Sequence, residues 1–336
     1  MKVAIFDFHL PEHLIAQTPL EHRAASRLMV VDRDTSSIEH KTFMDILDYL
    51  NPGDVLVVND TKVLPARLIG KKIDTEATIE LLLLHEVSTD TWSCLAKPVR
   101  RLQVGSVIWF SDDLSATIAA VQEDGVVEAS FRYEGIFLEV LERLGEMPLP
   151  PYIKSQLNDP SRYQTVYASA AGSAAAPTAG LHFTKELLEQ IKAKGVAIAT
   201  ITLHVGLGTF RPIKVDETDD HTMHSEFYHV SEAAASSIQQ AKRVIAVGTT
   251  VVRTLETMWS LHQKITPCQG WSTLFITPGF KFGVVDQLIT NFHLPKSTLM
   301  MLVSSFSRIE LMKDAYAQAV AKEYRFFSFG DAMLIR

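Results

Sequence analysis

Several short stretches of this 336-residue chain combine glycine, hydroxyl side chains and histidine or arginine at spacings that suit chemistry. In PTAGLHFTKELLEQIKAKG (177–195), small residues run into His182, and a helical stretch follows. Leu187, Leu188 and Ile191 fall on one face of it, opposite Glu186, Gln190, Lys192 and Lys194. Thr184 stands where an N-cap belongs and Gly195 where a helix stops. A loop ahead of such a helix start suits an anion or a polar substrate edge, and Thr178 and Gly180 lie in that loop. An ordinary loop entering an ordinary helix has the same pattern.

HVGLGTFRP (204–212) offers Gly206 and Gly208, but Arg211 occupies the place of the third glycine of a dinucleotide fingerprint. What remains is a backbone able to approach a ligand closely, Thr209 as a hydroxyl donor and Arg211 as a cation; a glycine turn with a surface arginine is the plainer reading. In VGTTVVRTLE (247–256), Thr249 or Thr250 would cap a helix and Arg253 would lie one turn in. A cation is unfavourable there, so either a bound carboxylate or phosphate, or an internal salt bridge to Glu256 or to another domain, would explain it. HTMHSEFY (221–228) holds His221, His224 and Glu226, a set zinc accepts. The spacing is not H-E-x-x-H and no further ligand can be named, so no metal is expected. A His–Glu pair acting on a substrate group fits better, and a solvated loop is the alternative. AKPVRRLQVG (96–105) concentrates Lys97, Arg100 and Arg101, with Lys62, Arg67, Lys71 and Lys72 nearby in sequence, as a surface that could track phosphates or merely be solvated.

Elements that alternate along the chain must position these groups. Apolar runs at 26–33, 53–60, 196–206, 242–248 and 286–292 read as strands, and 40–50, 249–263 and 297–306 as helices, with Ser297 as an N-cap. This alternation predicts a largely parallel sheet covered on both faces, with ligands beyond the carboxyl ends of its strands. NDTKVLPARL, HVGLGTFRP, VGTTVVRTLE and TNFHLP, the last bringing Asn291 and His293, then share one edge. Residues 65–147 differ: short strand-like runs at close spacing predict a small antiparallel barrel or sandwich inserted into the larger domain. The expected fold is thus α/β, with a layered α/β domain of residues 1–64 plus 148–336 and an inserted β-barrel domain of residues 65–147.

Composition agrees with a globular chain: 47% hydrophobic, 21% charged, formal net charge −7. The acidic total argues against indiscriminate nucleic-acid binding but permits a local basic groove. No apolar run approaches the roughly 20 residues of a membrane span, and Asp7 interrupts the start too early for a secretory signal. Cys94 and Cys268 match no metal spacing, so a cytosolic chain with two free thiols is expected.

Taken together, FDFHLPEHLIAQTPLEHRAASRLMVVD, NDTKVLPARL, PLPPYI, YQTVYA, AAPTAGLHFT, TLHVGLGTFRP, MHSEFY, VGTTVVRTLE, LFITPGFKF, TNFHLPKSTLMMLVSSF and YRFFSFGDAMLI resemble, in order, the S-adenosylmethionine:tRNA ribosyltransferase-isomerase family of queuosine biosynthesis. Lys62, Ser155 and Ser307–Arg308 depart from its pattern. The resemblance implies transfer and isomerisation of the ribosyl part of S-adenosylmethionine onto 7-aminomethyl-7-deazaguanine at a tRNA wobble position. Epoxyqueuosine forms, and adenine and methionine are released. It implies a large α/β domain with a small β-barrel, and no cofactor, since S-adenosylmethionine is a consumed substrate. The partners would be S-adenosylmethionine and a tRNA carrying the deazaguanine precursor, met by a cytoplasmic monomer. Such a reaction needs a base for the proton beside the sulfonium, assistance to departing adenine, and a grip on the methionine end. On that reading His182 or His204 is base or acid, and Glu226 its orienting partner or an alternative base. Arg211 and Arg253 hold a carboxylate or a phosphate. Thr178, Gly180, Gly206, Gly208, Thr209, Thr249, Asn291 and His293 shape the pocket; Lys97, Arg100 and Arg101 meet tRNA. A metal-dependent small-molecule hydrolase and a non-catalytic tRNA-binding protein are the alternatives.

Overall fold

A computed structural model describes residues 1–122, 125–155, 157–206, 213 and 215–336. The chain forms two compact units: residues 1–61, 151–170 and 176–336, and residues 62–150 with 171–175. The small unit thus takes in 171–175, which the sequence reading left with the large domain.

The large unit is built on a nine-stranded sheet. Its middle consists of Ala197–Leu203, Asp54–Asn59, Arg243–Val247 and Gln287–Asn291, each parallel to its neighbour. Asp54–Asn59 and Gln287–Asn291 are buried along their whole length, as strands covered on both faces must be. Ala332–Ile335, antiparallel to Gln287–Asn291, continues the sheet to the parallel Arg27–Val31 and the antiparallel edge Ile38–Thr42. On the other side Glu226–Val230 and Cys268–Ser272 add two antiparallel strands. One core gathers Leu56, Val58, Ile245 and Ile289 from the sheet with Leu187 and Ile191 of helix Lys185–Ala193. Thr184 caps this helix by accepting from the Leu187 N–H, and Ser297 caps Thr298–Phe306 by accepting from Met300.

Two local expectations change. Residues 40–50 do not form an α-helix. Ile38–Thr42 is a strand, and Phe43–Tyr49 a 3₁₀ helix opened by a Thr42–Asp45 capping box. Phe43 and Ile46 are its buried residues, and three is the period at which a 3₁₀ helix superimposes side chains. Nor do Thr249 and Thr250 cap Thr249–His262. Gly248 holds the N-cap at φ +91°, a conformation open to glycine, and no side chain caps it.

The small unit contains a closed antiparallel barrel of Arg67–Lys72, Thr78–Ser88, Thr91–Lys97, Val107–Ser111, Leu114–Val121 and Val126–Tyr133. Alternate residues such as Leu68, Ile79, Leu81, Ile108 and Val127 fill it, and Val140 and Leu141 of helix Phe137–Leu144 join the same core.

Candidate active site

The four parallel strands end at one edge of the sheet, so Asn59–Thr61, His204–Gly206, Gly248–Thr250 and Asn291–His293 follow one another along it. Beside them lies a cleft of about 900 Å³, its open mouth included, walled by Thr178, Val205, Thr249, Thr250, Asn291 and His293. Tyr152, Lys296 and Ser328 complete its polar rim.

His182 is buried in the 3₁₀ turn Thr178–His182. The Asn291 amide donates to His182 Nε2 (3.1 Å) and to the Phe327 carbonyl (3.2 Å), while Asn291 Oδ1 accepts from Thr178 (3.1 Å). An accepting Nε2 leaves the proton on Nδ1, which donates to Ser26 Oγ at 2.8 Å. The ring stacks on Phe43, with centroids 4.9 Å apart. Burial first, then the charges of Arg23 and Arg325, push its pKa down to about 3. Gly180 is required by packing: a Cβ there would collide with the Tyr167 hydroxyl and Thr165. The close approach at this glycine is therefore to the protein's own tyrosine.

His293 is also buried, its Nε2 2.9 Å from Thr290 Oγ1, and burial lowers its pKa to about 3. Both histidines stay neutral in the folded chain below the usual imidazole range near 6.5, while the unfolded chain protonates them. The native state then binds fewer protons, so stability contributed above about pH 6.5 is lost progressively as pH falls toward 3. Urea titrations across that window are expected to show the falling midpoint, and a His293→Asn variant a shallower fall. Equal slopes would contradict the assignment.

His204 differs in being half-buried. Its Nδ1 lies 2.8 Å from Thr61 Oγ1, whose hydroxyl also lies 3.5 Å from the Ala170 carbonyl. Phe227 stacks on the ring, with centroids 5.9 Å apart. Burial lowers the pKa of His204, partly offset by Asp60. That aspartate is fixed by Thr202 (2.7 Å) and Ser169 (3.0 Å).

Glu226 and Arg253 meet each other. The Arg253 guanidinium forms an ion pair with Glu226 Oε2 in which both side chains are buried, and it donates further to the carbonyls of Leu274 and Ser272. Glu226 Oε1 accepts the Gly206 N–H at 2.9 Å. The partner of Arg253 is therefore neither a ligand nor Glu256, which instead accepts the N–H groups of Gly283, Val284 and Val285. The two oxygens of Glu226 thus meet this guanidinium and the Gly206 N–H. His221 packs edge-on to Phe275, and among the described residues no three His, Cys, Asp or Glu side chains converge as a metal-binding set.

Gly208, Thr209 and Arg211 lie outside the described residues. Lys97, Arg100 and Arg101 are exposed around the turn Val99–Arg101 of the small unit. Lys62 pairs with Glu142, Arg67 with Glu80 and Glu146, and Lys72 with Asp74, so three of the four cations flanking this cluster in sequence are answered locally. Thr61, Tyr152, Thr290 and Ser328 are site residues that sequence reasoning passed over. Thr61 and Thr290 fall inside the quoted strand-end stretches, and Tyr152 and Ser328 inside PLPPYI and YRFFSFGDAMLI, which carry the resemblance without giving either residue a role.

No helix among the described residues is long and apolar enough to cross a membrane. Over its whole length the chain is similar to a solved structure, the S-adenosylmethionine tRNA ribosyltransferase of Thermotoga maritima. The two share 40% sequence identity over 99% of this chain and 100% of that one, with a TM-score of 0.58. Residues 3–335 match the family described as queuosine biosynthesis protein, and the chain belongs to that family.

Proposed function

We propose that the protein transfers and isomerises the ribosyl moiety of S-adenosylmethionine onto 7-aminomethyl-7-deazaguanine at the wobble position of tRNA, giving epoxyqueuosine and releasing adenine and methionine. Family membership supports the pathway, and the likeness to the Thermotoga maritima enzyme supports the substrate pair. The observation that carries the reading is the cleft at the carboxyl edge of the parallel strands, where Thr178, Thr249, Asn291 and His293 come together.

His204 serves as the base: Thr61 orients its ring, and burial keeps it neutral at pH 7. Asn291, fixed by His182 and Phe327, and Thr178 offer a polar edge to a sugar or amine. The N-terminus of helix Thr249–His262 opens at Gly248–Thr250 on the cleft and suits the methionine carboxylate, a role its dipole can fill while Arg253 is held by Glu226. His182 acts as a positioning residue. Arg211, with Gly208 and Thr209, keeps its assignment to an anionic group on the sequence pattern alone. Lys97, Arg100 and Arg101 track tRNA phosphates from the small unit. S-adenosylmethionine is consumed, no other cofactor is invoked, and the enzyme works as a cytoplasmic monomer. In a purified assay, adenine should be released from S-adenosylmethionine only with tRNA bearing the aminomethyl-deazaguanine. Release that ignores that base, or none with it, would overturn the reading.

A further inference from the structure

Four arginines described in the large unit are answered by carboxylates: Arg27 by Asp331, Arg243 by Asp54, Arg253 by Glu226 and Arg336 by Asp32. Five described there are not: Arg33 and Arg308 donate to backbone carbonyls and to Ser36, and the other three lie around residues 18–20. Arg23 donates to the carbonyls of Gln164 (2.9 Å), Ser161 (3.3 Å) and Leu181 (3.3 Å). Arg162 donates to the Leu20 carbonyl at 2.5 Å, and Arg325 to that of Thr18. Carbonyl dipoles fix these guanidinium groups without a carboxylate in ion-pair contact, and Asp159 acts on both Arg23 and Arg162 from a distance. Arg325 Nη1 is buried with no hydrogen-bond partner. Asp331, which acts on Arg325 electrostatically, is already ion-paired with Arg27. Asp159 acts on Arg23 from beyond ion-pair distance, while Arg162 opposes it as a like charge.

Arg23 and Arg162 line a second pocket, of about 310 Å³ with its mouth included, whose inner wall is Ser26 and His182. Arg325 grips Thr18, directly before the pocket residues Pro19 and Leu20. Ser328 lines both this pocket and the cleft, and the chain Ser26–His182–Asn291 joins the two. In a protein of net charge −7, this is a confined, pre-ordered cationic seat one side chain away from the proposed reaction site.

We infer that the pocket of Arg23 and Arg162, reinforced by Arg325, seats a backbone phosphate of the RNA strand whose adjoining nucleotide enters the cleft. This rests on the tRNA reading above. The methionine carboxylate is the other anion that could use such a seat, and the test separates the two. Binding of tRNA should be measured against salt concentration for the parent and for Arg23→Gln and Arg162→Gln. Each lost phosphate contact lowers the slope of log K against log salt by about 0.7–0.9, which is a four- to sixfold weaker affinity at about 0.15 M salt. S-adenosylmethionine binding should stay unchanged. Unchanged slopes and affinities in both variants would overturn the inference, as would weakened S-adenosylmethionine binding with tRNA binding intact. On the parent itself, tRNA but not S-adenosylmethionine should protect Arg23 and Arg162 from phenylglyoxal; full reactivity in the tRNA-saturated protein overturns the inference whatever the variants do. A parent that binds no tRNA would refute the functional reading as well.

Discussion

His204→Gln is expected to lower turnover about 100- to 10,000-fold, the usual contribution of a positioned base, while S-adenosylmethionine binding changes little. The imidazole is only half-buried, and its packing partner Phe227 and backbone hydrogen bond to the Phe227 carbonyl survive the change, so the fold should hold. The pH profile adds an independent readout. A base must be neutral, and burial has lowered the pKa of His204, so kcat/KM in the parent should persist below about pH 6.5 and fall only as pH drops through the lowered value. That acid limb should be missing from the residual activity of the variant. Parental turnover in His204→Gln would remove the residue from the chemistry. Thr61→Val, which deletes the oxygen facing Nδ1, should give a smaller loss that falls on kcat more than on KM.

Arg253→Met should destabilise the protein by about 3–5 kcal/mol, because it strands a buried carboxylate. Glu226→Gln should be costly for the converse reason and also weakens the acceptor that holds the Gly206 N–H beside the cleft. Joining Arg253→Met to Glu226→Leu removes both charges and should recover most of the stability, since apolar replacement of a buried pair is often neutral. Recovered stability without recovered activity would place the pair's function in holding the segment after Leu203. Urea denaturation of the single and double variants measures the coupling. An Arg253→Met protein as stable as its parent but defective in S-adenosylmethionine binding would restore the ligand role that the sequence suggested for this arginine.

The contrast between these two sites shows what the sequence could convey. Strand ends were legible because Val, Ile and Leu runs stop at glycine or asparagine, and parallel pairing then brings those ends to one edge without further information. The caps at Thr184 and Ser297 were legible because donor and acceptor lie three residues apart. The barrel was legible from its short strand-like runs at close spacing, divided by Asp, Ser and Gly. Partners far along the chain were not. His182 meets Ser26 and Asn291 across 156 and 109 residues, and Arg253 meets Glu226 across 27. No periodicity specifies such pairs, so a histidine built into the wall reads, from its neighbours alone, like one facing a substrate. Gly180 misled for a related reason: the neighbour it accommodates, Tyr167, comes from a separate loop. The Thr249 cap failed because Gly248, at positive φ, turns the chain before the threonines can reach back.

S-adenosylmethionine is expected to occupy the cleft at the carboxyl edge of the parallel strands. A crystal structure with a non-reactive S-adenosylmethionine analogue tests it most directly. The analogue is expected in contact with Thr178, Thr249 and Asn291, its carboxylate toward the start of helix Thr249–His262 and its ribose toward Val205, the cleft residue that follows His204 in the chain. An analogue bound instead in the separate apolar cavity between Phe6 and Tyr316, with the cleft unoccupied, would contradict it.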